Sequence, residues 1–167
     1  MPVSDIYTAR SGTFSTGTLT TAQPFLSVVE PATKRGWITG IRIDVGVTAA
    51  VAGNSLLFQL ARTSTVWTGG TALSGANLPA PHDLSAPACF ATGYIPSYTT
   101  APTVTTVLWE QMLPMTTGAA WEEFPPGGYE WQIPNIAAGS ANAGVHVFVT
   151  QSVGTSTPVY ADLIFSE

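Results

Sequence analysis

The stretch GWITGIRIDVGV, residues 36 to 47, alternates along its length. Trp37, Ile41, Ile43, Val45 and Val47 fall on one side, with Arg42, Asp44 and glycines on the other. Alternation of period two is the signature of a strand with one buried face. The same pattern returns in LLFQLAR, where Leu56, Phe58 and Leu60 oppose Leu57, Gln59 and Ala61, and in TVTTVLWEQML from Val104 to Met112. It returns again in YEWQI (Tyr129, Trp131, Ile133), GVHVFVTQSV (Val145, Val147, Val149) and PVYADLIFSE (Val159, Ala161, Leu163, Phe165). Gly, Pro, Asn and Ser clusters separate these runs, and none carries a helical stripe. Short alternating strands punctuated in this way specify an antiparallel sandwich or barrel.

A chain of 167 residues fits one domain, and a fold of this size buries about 70% of the surface its unfolded form exposes. Residues 1 to 24 are rich in Ser and Thr and offer Tyr7, Phe14 and Leu19 as their main large apolar side chains. They read as an extended N-terminal arm with one or two short strands, ordered against a neighbouring subunit or, alternatively, as a terminal strand of the chain's own sheet. Residues 25 to 167 then form the sandwich domain. Within it, residues 63 to 102 make a long loop region with five prolines and Asp83 as its one charged residue, in which Val66, Trp67, Cys89, Phe90 and Tyr94 supply short strands. Loops of such length inside a compact domain are commonly functional or part of an interface.

Charged residues make up only 9% of the chain, against about 25% in ordinary domains. So sparse a surface must be covered by hydroxyls, small residues and apolar patches, and large exposed apolar patches mark docking sites. All five cations (Arg10, Lys34, Arg35, Arg42, Arg62) lie in the first 62 residues, and seven carboxylates follow. Nucleic-acid binders concentrate Lys and Arg to neutralise phosphates, so this acidic chain is not expected to bind nucleic acid. Cys89 is the single cysteine, so no intrachain disulfide forms. The N-terminus lacks the order of a signal peptide, and no apolar run reaches the ~18 residues of a membrane span. Synthesis in the cytoplasm and no membrane partner are the expectation.

The residues give little support to catalysis. Glu122 and Glu123 are adjacent, so on a strand they point to opposite faces and cannot act as a pair. Glu130 could approach one of them across Pro125, Pro126, Gly127 and Gly128, at a separation suited to glycoside hydrolysis. Ten carboxylates on a sandwich produce such pairs by chance. In EEFPPGGYEWQIPN the break reads instead as a turn that stops one segment and launches a strand. His82 and His146 are 64 positions apart without metal-ligand spacing. HDLS reads as a turn, with Ser85 lacking a nucleophile elbow. Gly12 and Gly17 have phosphate-loop spacing, but Thr18 stands where that loop needs its Lys. Cys89, among apolar neighbours, reads as a small packed residue. No enzyme activity, metal or cofactor is expected. Trp67, Trp109, Trp121, Trp131, Tyr94 and Tyr98 could stack on sugars if they formed a row, but Trp131 lies in register with Tyr129 and Ile133, which favours the core.

The order FQLARTSTVWTGGTAL, HDLSAPACFAT, YTTAPT, FPPGGYEWQIPN and a final strand ending ADLIFSE resembles small β-rich proteins of tailed phages, of the capsid decoration or cement type. The resemblance spans residues 53 to 167 and does not extend to residues 1 to 24. It implies a jelly-roll-like sandwich with no enzyme chemistry, located on the capsid surface of the virion after synthesis in the host cytoplasm. The implied partner is the major capsid protein, with self-association as a homotrimer. Tyr7, Arg10, Phe14, Trp67, Tyr94 and Tyr98 are the candidate interface residues. A receptor- or glycan-binding sandwich of a phage tail or fibre is the alternative.

Overall fold

The computed structural model describes residues 5–15, 23–29, 36–46, 55–63, 68–74, 80–83, 85–89, 91–100, 103–114, 119–123, 131–133, 144–151 and 157–167. These residues contain thirteen strands and no helix: β1 (Ile6–Arg10), β2 (Phe14–Ser15), β3 (Gln23–Val29), β4 (Gly36–Val45), β5 (Ser55–Thr63), β6 (Thr68–Ala72), β7 (Ala80–Pro81), β8 (Thr92–Thr100), β9 (Val104–Pro114), β10 (Ala119–Glu123), β11 (Trp131–Ile133), β12 (Val145–Gln151) and β13 (Pro158–Ser166). The chain is all-β, as its alternation requires.

Two antiparallel sheets form. Sheet A has the order β10-β4-β13-β1-β7, with β11 beside β4 and β2 beside β13; sheet B has the order β6-β8-β3-β12-β5-β9. The N-terminal and C-terminal strands are neighbours, Tyr7 lying opposite Phe165 and Arg10 opposite Asp162. Almost every contact joins residues distant in sequence, so the core is complete only once both chain ends are in place.

The inward faces supply the core. From sheet A come Tyr7, Ala9, Ile38, Ile41, Ile43, Val45, Val159, Ala161, Leu163 and Phe165; from sheet B come Leu26, Val28, Leu56, Phe58, Leu60, Val145, Val147 and Val149. These are the alternating positions of β4, β5, β12 and β13. Phe25 stacks on Phe14 at 5.5 Å and meets Phe58 edge-on at 6.1 Å.

Irregular pairing occurs at several places in both sheets, and in β4 and β9 it bears on which side chains reach the surface. Ile164 pairs with Gly40 and Phe165 with Ile38, so Thr39 is an extra residue in β4. A bulge of this kind moves every following side chain to the other face. Ile38 is therefore in the core while Trp37 is only half-buried, which corrects the expectation that Trp37 shares a face with Ile41. The Oγ1 of Thr39 is buried without a hydrogen-bond partner among the described residues. β9 is irregular twice: Leu60 pairs with Trp109 but Ala61 with Val107, and Arg62 pairs with Thr106 but Thr63 with Val104.

Two boundaries are corrected. Ile6–Arg10 is a terminal strand of the chain's own sheet, the alternative reading of this segment, and no arm: it sits between β13 and β7, and Tyr7 and Ala9 are within the core. The physical reason is that Tyr7 and Ala9 alternate with Ile6, Thr8 and Arg10, a pattern too brief to stand out in a Ser- and Thr-rich segment. β3 likewise begins at Gln23, so residue 24 is not a domain boundary; Leu19 lies outside the described residues. The long region 63–102 is largely strand. β6 pairs with β8 and β8 with β3, widening sheet B, while β7 pairs with β1 and widens sheet A on the same side.

Across the Pro-Pro-Gly-Gly segment, Glu123 pairs with Ile41 and Trp131 with Ile38. β10 and β11 thus continue one another along β4 and form no hairpin. The described strand that follows is Trp131–Ile133; Pro125, Pro126, Gly127, Gly128, Tyr129 and Glu130, and with them the expected turn, lie outside the described residues.

Candidate interaction surface

Of the three candidate interface residues whose side chains are described, Tyr7, Arg10 and Phe14, the exposed one is Arg10. Tyr7 is buried, its ring stacked on Phe165 at 5.7 Å and its hydroxyl donating to the Pro87 carbonyl at 3.1 Å. Burial pushes its phenol up, and the nearby charges of Asp5 and Glu167, with Cys89, add to that. Phe14 is half-buried against Phe25. Both are corrected from interface to core because β1 and β2 belong to sheet A. Tyr94 and Tyr98 lie in β8, their backbones opposite Ser27 and Gly69, and their side chains are outside the described residues, as is the whole of Trp67.

Arg10 belongs to a charged row on the outer face of sheet A. Its guanidinium lies 3.8 Å from the Asp162 carboxylate, and Arg42, which pairs with Asp162 in register, bonds Asp44 at 3.1 Å. Glu122 stands opposite Arg42 in β10, whereas Glu123 stands opposite Ile41. Burial pushes the Asp162 carboxyl up, and Asp44 pushes it the same way, while Arg10 and Arg42 oppose them. Tyr160, exposed on the same face, accepts a hydrogen bond from Thr13 Oγ1 at 3.0 Å.

The HDLS segment is a turn. Asp83 Oδ1 accepts from Ser85 N at 2.8 Å and Ser85 Oγ at 2.7 Å, and Ala86 N bonds the Asp83 carbonyl at 3.0 Å. These two bonds hold the Asp83 carboxyl below its ordinary value. The His82 ring turns away from Ser85, its Nε2 lying 2.6 Å from Thr8 Oγ1 across β7 and β1. Cys89 is half-buried and donates to Glu167 Oε1 at 3.0 Å, an oxygen that also accepts from Ala91 N at 2.7 Å. Among the described residues no group of three His, Cys, Asp or Glu converges as a metal site, and no helix is long and apolar enough to cross a membrane.

The surface that sequence reasoning missed is β9. Among the described residues, three of the five exposed large hydrophobic side chains lie on this strand: Val104, Val107 and Met112, the last 59% exposed. β9 is the outermost strand of sheet B, so it pairs with β5 on one side only. Leu108 and Trp109 are half-buried and pack against the core from the same strand. Edge strands with exposed apolar residues invite contact by other chains. The two irregularities break the regular spacing of backbone groups that strand-to-strand addition requires, so β9 offers side chains more readily than a hydrogen-bonding template. The remaining exposed hydrophobics, Ile6 and Tyr160, are on sheet A.

Comparison with family models, curated proteins and solved structures finds no match. What this surface does must be argued from its own chemistry.

Proposed function

We infer that this chain is a non-enzymatic structural protein of a phage virion, a capsid decoration protein that stabilises the head shell by binding across its subunits. The observation that carries this reading is the apolar edge of β9: Val104, Val107 and Met112 are exposed together on an otherwise regular sandwich. A partner that covers them gains roughly 25 cal/mol for each Å² of apolar surface removed from water. Repetition over a lattice turns such modest contacts into firm attachment. A protein that binds only the assembled shell stabilises it by mass action.

The strand order supports the finer part of this reading. Setting aside the added strands, sheet A runs β1-β13-β4-β10 and sheet B β3-β12-β5-β9. Apart from β5 and β9, which pair within sheet B, strands consecutive in this reduced order fall in alternate sheets in the manner of two interlocked Greek keys, the arrangement of a jelly roll. The proposed partner is the major capsid protein, contacted through β9, with self-association as a homotrimer and the virion surface as the location. The paired charges of sheet A and its hydroxyl-rich surroundings suit a face left in solvent.

Co-sedimentation of the purified chain with shells assembled without it tests the reading. Wild type should pellet with shells and saturate at a fixed ratio, and Val107→Lys should pellet much less while melting at the same temperature. Absence of wild-type binding to shells removes the proposal. Undiminished binding by the lysine variant removes β9 as the contact.

A further inference from the structure

Sheet B is almost free of charge. Its six strands contain only two Asp, Glu, Lys or Arg residues, Arg62 on β5 and Glu110 on β9. Yet β12, an interior strand of this sheet, carries a histidine with no exposed surface at all. Val145, Val147 and Val149 face the core between the sheets, so His146 and Phe148 point to the opposite face, and both are buried there as well.

The His146 ring bridges both neighbouring strands. Its Nδ1 lies 2.6 Å from Ser27 Oγ on β3 and its Nε2 lies 2.9 Å from Thr63 Oγ1 on β5. In a neutral imidazole one ring nitrogen donates and the other accepts, and a hydroxyl can serve either role. The two contacts therefore suit the uncharged ring. The site is also closed sterically. Thr63 N donates to the Gly144 carbonyl at 3.2 Å, and a Cβ on Gly144 would lie 2.9 Å from the Val28 carbonyl oxygen and 3.4 Å from His146 Nε2. The Phe148 ring lies 5.9 Å away.

Among the described strands around the ring, ionisable side chains are few. β3 and β8 carry no ionised residue; Tyr94 of β8 stands opposite Ser27 in register. On β5, Arg62 has the same sign as a protonated imidazole and alternates to the other face from Ala61 and Thr63. On β9, two strands away, Glu110 accepts a hydrogen bond from Gln59 at 3.2 Å. Burial accordingly pushes the His146 imidazole down to about 3.

We propose that His146 is an acid-operated pin: uncharged, it ties β3, β12 and β5 together across the outer face of sheet B, and its protonation opens the Gly144 end of these strands while sheet A stays closed. The strands of sheet A contain no histidine or lysine, and among its described side chains Arg10 lies beside Asp162 and Arg42 beside Asp44. Opening that requires one proton becomes tenfold more frequent for each pH unit below about 6.5, the pKa of a free histidine. Local opening of this kind is visible in hydrogen exchange.

The test is native-state hydrogen exchange of the full chain between pH 7 and pH 4.5, corrected for the intrinsic pH dependence of exchange. Wild type, His146→Gln and a His82→Ala control are compared. Amides of β12 and of the adjoining ends of β3 and β5 should lose protection about tenfold per pH unit below ~6.5 in wild type and in the control. Those of β4 and β13 should hold, and His146→Gln should show no such dependence. Equal loss in both sheets, a flat profile for wild type, or an unchanged slope in His146→Gln would overturn the proposal. Should the glutamine variant fail to fold, NMR of wild type with labelled histidine decides. The His146 signal should keep its neutral shift in the folded form at every pH where that form persists, and a folded-state titration with a midpoint near 6.5 would overturn the pin.

Discussion

The Tyr7 ring lies stacked on Phe165, their centroids 5.7 Å apart, joining the first strand of the chain to the last. The same tyrosine donates its hydroxyl to the Pro87 carbonyl, in the segment between β7 and β8, so one side chain holds three distant parts of the sequence. Aromatic residues in full burial contribute through area, and their removal leaves a cavity. Tyr7→Ala is therefore expected to cost ~3–5 kcal/mol of folding stability. Tyr7→Phe should lose only the hydroxyl's bond, ~0.5–1.5 kcal/mol. Urea denaturation measures both, and an alanine variant as stable as wild type would contradict the placement of β1 in the core. Removal of residues 1 to 24 should leave no cooperative unfolding transition, since Tyr7, Ala9 and part of β3 go with it.

Acid should weaken the protein through His146. The unfolded imidazole takes a proton near 6.5, whereas the folded one does so only at about 3. Between these values the unfolded state holds the extra proton, so stability is fully present above about 6.5 and falls as the pH drops, by up to ~1.4 kcal/mol per unit. Urea midpoints collected from pH 7 to pH 5 should decline accordingly in wild type.

Asp162 acts in the opposite sense. Its carboxyl is raised, chiefly by burial, so its charge opposes folding at neutral pH, and that cost disappears once the group is protonated. The ion pair with Arg10 is long, and surface pairs of this kind contribute little. Asp162→Asn should raise the melting temperature at pH 7, with the gain fading as the pH falls into the carboxylate range. A lower melting temperature at pH 7 would show that Arg10 and Arg42 outweigh burial.

How far these features could be read from sequence depends on where each signal resides. β5 and β13 were legible because Leu56, Phe58 and Leu60, and Val159, Ala161, Leu163 and Phe165, alternate without interruption. The displacement of Trp37 was not, because a threonine in a bulge looks like a threonine in a strand. Val104, Val107 and Met112 belong to an apolar run that resembles a core strand, and only the strand order makes β9 an edge. His146 resembled any histidine in a valine-rich run, since its hydroxyl partners lie 119 and 83 residues away. Alternation is a local property, whereas burial on both faces, edge position and polar pairing are decided by contacts between distant segments.

Exposure on β9 separates binding from folding. Met112→Ser and Val107→Ser remove apolar surface that the isolated chain leaves in water, so each should change stability by no more than ~0.5 kcal/mol. Leu113→Ser, one position further and buried, should cost several times as much. Thermal melts of the three variants check this, and a large loss for Met112→Ser would mean that β9 is covered within the monomer.

The most direct measurement is the number of copies of this chain per copy of the major shell protein in purified particles, by quantitative mass spectrometry. A decoration protein should appear at a ratio near one, or at a simple fraction set by the lattice. A handful of copies per particle, or none, would contradict the account.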